Sequence, residues 1–183
     1  MMARFNVLSL FKVDETRLRR FVDSVRDTYR GNPFHNWHHA VAVLQANFVI
    51  LCKTQAVKCF THSDVFGLLI ASLCHDADHP GHTNDFEVNS GGDLAITYCD
   101  MSPLEHHHAA TTARILSKPE SNIMTNLDPD VFRATRKLIC RAILSTDMSQ
   151  HFAQVQQLGK RAADMAQRYA AVSMQSPTSP STG

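Results

Sequence analysis

Apolar residues recur at helical spacing along nearly the whole chain. Asp14 opens the first such stretch as an N-cap, and Leu18, Phe21, Val22, Val25 and Tyr29 fall on one face of a helix ending near Arg30. Gly31-Asn32-Pro33 breaks it and starts the next, with Asn32 as N-cap and Pro33 at the first helical position. His35, His38, His39, Val41, Leu44, Phe48 and Leu51 lie along this second helix. Ser63 or Asp64 caps a third, VFGLLIASLCHD, which is apolar nearly all round and belongs at the centre of the fold. Pro80-Gly81 stops it. Ser102-Pro103-Leu104-Glu105 reads as a capping box that opens a helix to about Ser117. Asp128-Pro129 repeats the start signal for a helix to about Leu144, with Val131, Thr135, Leu138, Ile139 and Ala142 inward. A last helix runs from near Asp147 to about Ala171, and the Ser/Pro-rich residues 172–183 are expected to form a disordered tail. No alternating strand pattern and no repeat interrupts this reading. It predicts an all-α fold, a compact multi-helix bundle over residues 1–171 built around the third helix.

Composition narrows the class. Of the 183 residues, 44% are hydrophobic and 19% charged, which is a globular balance. The net charge of +1 gives no reason to expect nucleic acid or an anionic membrane as partner. No run is long and apolar enough to span a bilayer. Five scattered cysteines, with no CxxC pair and no secretory signal, point to reduced thiols in an intracellular compartment. Histidine is the outlier at 11, and most of these fall in three clusters, HNWHH, HDADH and EHHH.

Residues four apart on a helix share a face, so His35 pairs with His39 and His75 with His79. Asp76 follows His75 at the end of the buried helix. Imidazole with carboxylate suits zinc, and a carboxylate can also bridge to a harder ion such as magnesium or manganese. Two such ions can activate one water for in-line attack on phosphorus, while a nearby histidine protonates the leaving alkoxide. Each residue alone has a plainer explanation. Glu105 is accounted for by the capping box, His106 by solvent, His108 by the stripe Leu104, His108, Thr111, Ile115. Thr146 reads as an N-cap and Asn84 as a loop residue. The joint occurrence of HNxxHA, HDxDHxGxxN and LExHH along one chain is what points to a metal phosphohydrolase.

NPFHNWHHA (32–40), HDADHPGHTN (75–84), SPLEHHH (102–108) and STDMSQH (145–151) occur in that order. Together they resemble the catalytic domain of the class I 3′,5′-cyclic-nucleotide phosphodiesterases, across roughly Phe5 to His151. The wording NPFHN, SPLE and PESNI is most similar to the cGMP-preferring, type-nine-like branch. The resemblance implies the all-α HD-type fold and hydrolysis of cGMP and/or cAMP to 5′-monophosphates in signal transduction. It implies a two-metal site with Zn2+ and Mg2+ or Mn2+. Position by position, it implies His35 as the acid that protonates the 3′ oxygen. His39, His75 and Asp76 are implied as zinc ligands, Asp76 also bridging to magnesium. His79, Asn84, Glu105 and Thr146 are implied as outer partners that orient metal-held waters or support the ligands. Phe34 stands where many relatives have tyrosine, and His106 where many have asparagine.

The C-terminal part departs from the family pattern. The family places a fourth zinc ligand, an aspartate, and a purine-reading glutamine well beyond STDMSQH. Asp164, the single acidic residue after Asp147, lies too close to Thr146 and in the wrong context for that ligand. The expectation is therefore the N-terminal part of a catalytic domain, without the base-binding region and hydrolysing cyclic nucleotides poorly by itself. A non-catalytic regulator or pseudoenzyme is the first alternative, and another HD-type metal phosphohydrolase the second.

Overall fold

The computed structural model describes residues 1–174, and among these it contains helices and no strands. The chain divides into two units, Met1–Thr146 and Asp147–Gly183. Within the first run α1 (Val7–Leu10), α2 (Glu15–Arg26), α3 (Trp37–Lys53), α4 (His62–Cys74), α5 (Asn84–Ser90), α6 (Asp93–Thr97), α7 (Pro103–Ser117) and α8 (Pro129–Leu144). Helix α4 is the centre, as its all-round apolarity predicts: every residue from Val65 to Cys74 except Leu68 is buried. Helices α3 and α8 pack along it. Phe21 and Val25 of α2, Ala40 of α3, Ile115 of α7, and Ile139 and Ile143 of α8 share its core. Each such large apolar side chain contributes about 1.5–3 kcal/mol by leaving water. Gly67 lets α8 approach closely, since a β-carbon there would sit 2.6 Å from Leu138 Cδ2.

Local signals set the helix ends, not always where the sequence pattern placed them. Asp14 caps α2 as expected, its carboxylate accepting from Arg17 N at 2.8 Å. The cap of α3 is Asn36 rather than Asn32, so His35 precedes the helix and shares no helical face with His39. Thr61, not Ser63 or Asp64, caps α4, in a reciprocal capping box with Asp64. Helix α4 closes at Cys74, so His75 and His79 are not a helical pair but stand at either end of a reversing turn. The box expected at Ser102 does not form: Ser102 has a left-handed backbone (φ 42) and makes no side-chain capping bond. The sequence pattern also missed α1, α5 and α6, which are too short to establish a period.

In the second unit, a 3-10 turn at Met148–Gln150 leads into α9, His151–Met174. Phe152, Val155, Leu158 and Met165 along α9 are exposed. Residues 172–174 are helical rather than part of a disordered tail, and the remainder of that expected tail, 175–183, lies outside the described residues.

Candidate functional site

The first turn of α3 and the end of α4 converge. Asn36 Oδ1 accepts from His39 N at 3.1 Å, and Asn36 Nδ2 donates to Asn32 O and Pro33 O at 2.9 and 3.3 Å. These bonds fix the entry to α3 and hold His39 in its first turn. At the other side His75 is the C-cap of α4, with Asp76 one residue on. His75 Nδ1 donates to the Ser72 carbonyl at 3.0 Å, so its Nε2 presents a lone pair. That Nε2 lies 3.1 Å from His39 Nε2, while Asp76 Oδ2 lies 3.1 Å from His75 Nε2 and 3.4 Å from His39 Nε2.

This triangle tests whether the residues fit a metal. Asp76 Oδ2 is buried and has no hydrogen-bond partner while His75 is neutral. A buried carboxylate oxygen without a partner is costly unless something positive compensates it. Three donors held tetrahedrally at the usual zinc bond lengths of about 2.0–2.1 Å would stand about 3.3 Å apart, close to the separations here. The donor set and its spacing fit a metal ion.

Electrostatics agree. Burial, then the neighbouring His75, hold His39 below the ordinary imidazole value. Burial would do the same to His75, but the hydrogen bond and charge of Asp76 outweigh it and raise His75. Burial opposes ionisation of Asp76, yet His75, His108 and His35 bring it down to about 2. Asp76 thus favours the protonated form of the His75 ring. An ion would take that proton's place.

A second ring of residues supports the first. Tyr29 Oη donates to Leu73 O at 2.8 Å and accepts from Asp76 N at 3.3 Å, and burial keeps the phenol protonated. Asn32 Nδ2 donates to His35 O at 3.1 Å and to His79 O at 2.8 Å, tying the two histidine-bearing loops together. Gly81 (φ 95) allows this, because a β-carbon there would lie 3.1 Å from Asn32 Oδ1. His35 stacks on His79, centroids 3.9 Å apart and planes 7° from parallel, and lies 5.9 Å from the His39 ring. His79 Nδ1 accepts from Gly81 N at 3.0 Å, and burial followed by His35 lowers its pKa to about 4. His108 is buried, its Nδ1 donating to Ala77 O at 2.8 Å, and burial holds it at about 4. Ring nitrogens of His79 and His108 and a carboxylate oxygen of Asp76 lie within 4.8 Å of one another.

Five of the sequence candidates, His35, His39, His75, Asp76 and His79, thus come together. Asn84 and Glu105 join each other, Asn84 Nδ2 donating to Glu105 Oε2 at 2.9 Å. Thr146 stands past the end of α8 with its hydroxyl donating to Ile143 O at 2.7 Å and makes no hydrogen bond to the cluster. Sequence reasoning missed Tyr29, Asn32 and His108 as parts of this neighbourhood. Each had a sufficient local reading as helix face, N-cap or core stripe, and no spacing rule links them to residues 75–79.

Residues 34–179 match the family model described as 3′5′-cyclic nucleotide phosphodiesterase. The human high affinity cGMP-specific 3′,5′-cyclic phosphodiesterase 9A is 43% identical over 143 residues, covering 77% of this chain and 24% of that protein. The 3′,5′-cyclic-nucleotide phosphodiesterase regA of Dictyostelium discoideum is 40% identical, covering 83% of this chain and 19% of that protein. The phosphodiesterase domain of the RhoPDE fusion protein from the choanoflagellate Salpingoeca rosetta superposes with a TM-score of 0.84 at 39% identity. That match covers 86% of this chain and 50% of the solved domain. The chain therefore spans about a quarter or less of the length of these two curated relatives.

Proposed function

Because the chain belongs to the 3′5′-cyclic nucleotide phosphodiesterase family, we propose that it supplies the metal-holding and proton-donating part of a site that hydrolyses 3′,5′-cyclic nucleotides to 5′-monophosphates. The observation that carries this is the convergence of His39, His75 and Asp76, three donor atoms no more than 3.4 Å apart, beside the stacked His35. His39, His75 and Asp76 would hold zinc. Asp76, a carboxylate able to face two ions, would also serve a second one, magnesium or manganese. The chemistry such ions supply is Lewis-acid polarisation of a phosphoryl oxygen and acidification of a water.

The chain's own residues do the rest. His35 gives a proton to the leaving 3′ oxygen as the bond between phosphorus and that oxygen breaks, while a water oxygen bonds to phosphorus and releases one of its own protons to solvent. Its ring is held for this by stacking on His79, which Asn32 and Gly81 fix in turn. Asn84 aligns Glu105 from the side of α7. Thr146 joins the site, on this reading, only through a bridging water. The five free cysteines fit an intracellular place of action. The name of the human relative makes cGMP the first substrate to assay, with cAMP beside it.

Two measurements test the proposal. Zinc content of the purified chain should fall to background in the His75→Ala, Asp76→Ala double variant, and equal stoichiometry in the two proteins would reject the site. With zinc and magnesium supplied, 5′-monophosphate release, slow for residues 1–183 alone, should drop about 10²–10⁴-fold in His35→Ala, at unchanged zinc content. Equal release from both proteins would remove His35 as the acid.

A further inference from the structure

Between Asp76 and His79 the chain reverses at Asp78, whose φ is 61. Side chains rarely occupy this left-handed region, and glycine would occupy it with less strain. The carboxylate, however, is fully engaged. Its Oδ1 accepts from Arg30 Nε at 2.8 Å and Nη2 at 2.7 Å, and its Oδ2 accepts from His107 Nε2 at 2.8 Å. Arg30 lies on the connection between α2 and α3, and His107 lies on α7. The three residues are far apart in sequence, 48 positions from Arg30 to Asp78 and 29 from Asp78 to His107. The Arg30 and Asp78 side chains are 50% and 33% exposed, and an ion pair so open to water adds little to overall stability. What a charged fork plus a second donor does supply is direction. The next residue on α7, His108, holds Ala77 O, so two neighbouring imidazoles grip two successive residues of one turn.

We propose that Asp78 is a positioning residue for the metal centre. By tying the 75–79 turn to Arg30 and His107, it sets the backbone from which Asp76 and His79 project, without touching an ion or substrate itself. Its consequence for metal binding rests on the zinc reading above. The clamp is independent of it.

The test compares the full chain with Asp78→Gly, which removes the carboxylate while suiting the backbone, and Asp78→Asn, which keeps the shape without the charge. Zinc affinity should fall about 10-fold or more in Asp78→Gly, the lower end of the range for partners outside the ligand shell. The visible spectrum of the cobalt-substituted site should change in shape as well. Arg30→Lys, which keeps a cation facing Asp78, should recover most of the affinity that Arg30→Ala loses. Parental zinc affinity together with a parental cobalt spectrum in both Asp78 variants would overturn the proposal. A parent chain that binds neither ion would defeat the zinc reading, and amide hydrogen exchange of the metal-free proteins then decides the clamp. Faster exchange at Ala77 and His79 in Asp78→Gly, with α4 and α7 unchanged, upholds it; identical exchange overturns it.

Discussion

At the scale of single residues, Asn84 does two jobs with one amide. Its Oδ1 accepts from Leu104 N at 3.0 Å while its Nδ2 donates to Glu105. It thereby caps α7 from another part of the chain, in place of Ser102. Asn84→Ala should cost about 1 kcal/mol, within the 0.5–2 kcal/mol range for lost N-caps, read as a lower urea midpoint with an unchanged slope. A midpoint equal to the parent's would mean that water or another group satisfies Leu104 N. The same residue shows what a sequence does and does not disclose. Its motif position was legible, whereas its capping role was not, because the helix it caps begins about twenty residues away. His35 and His79 show the opposite failing. Both were singled out, but by helical spacing, and the structure brings them together by stacking one loop on another.

At the scale of elements, α4 is the post on which the site stands. Phe66 is fully buried and its ring lies 5.3 Å from Phe11. Phe66→Ala should cost about 3–5 kcal/mol through lost burial and the cavity left behind. Against a typical total of about 5–15 kcal/mol, thermal melting should show a drop of many degrees, and a change of a degree or two would mean that the neighbours collapse into the space. The loss would reach the metal centre because His75 and Asp76 continue directly from this helix. The long helices were legible wherever a sustained apolar period met a cap, as in α2 and α8. Helices α5 and α6 were not, since NDFEVNS and DLAIT give a polar or single-turn pattern that only tertiary contacts stabilise. The boundary that mattered most, the end of α4 at Cys74, was misread because the first breaker the sequence offers after this helix, Pro80-Gly81, lies several residues further on.

At the scale of the first unit, Met1–Thr146, the buried imidazoles govern acid sensitivity. His79 and His108 titrate near 4 in the fold against 6.5 ordinarily. Between those values the unfolded chain binds more protons, so stability falls as pH drops from about 6.5 towards 4. His75 acts in the opposite sense: its pKa is raised, so its contribution is complete below 6.5 and fades as pH rises through the folded value. Two imidazoles shifted down should outweigh the one shifted up. Chelator-treated protein should therefore show a lower urea midpoint at pH 5 than at pH 7, and a higher midpoint at pH 5 would refute the assignment of neutral His79 and His108. The His39 and His75 nitrogens that face each other are 36 residues apart in sequence. An ion between them would staple the start of α3 to the end of α4 and close a long loop without a covalent bond. Such a staple forms only after the two helices have docked, so it belongs to the last stage of folding. Adding metal should then lengthen the lifetime of the native state and leave the speed of reaching it unchanged.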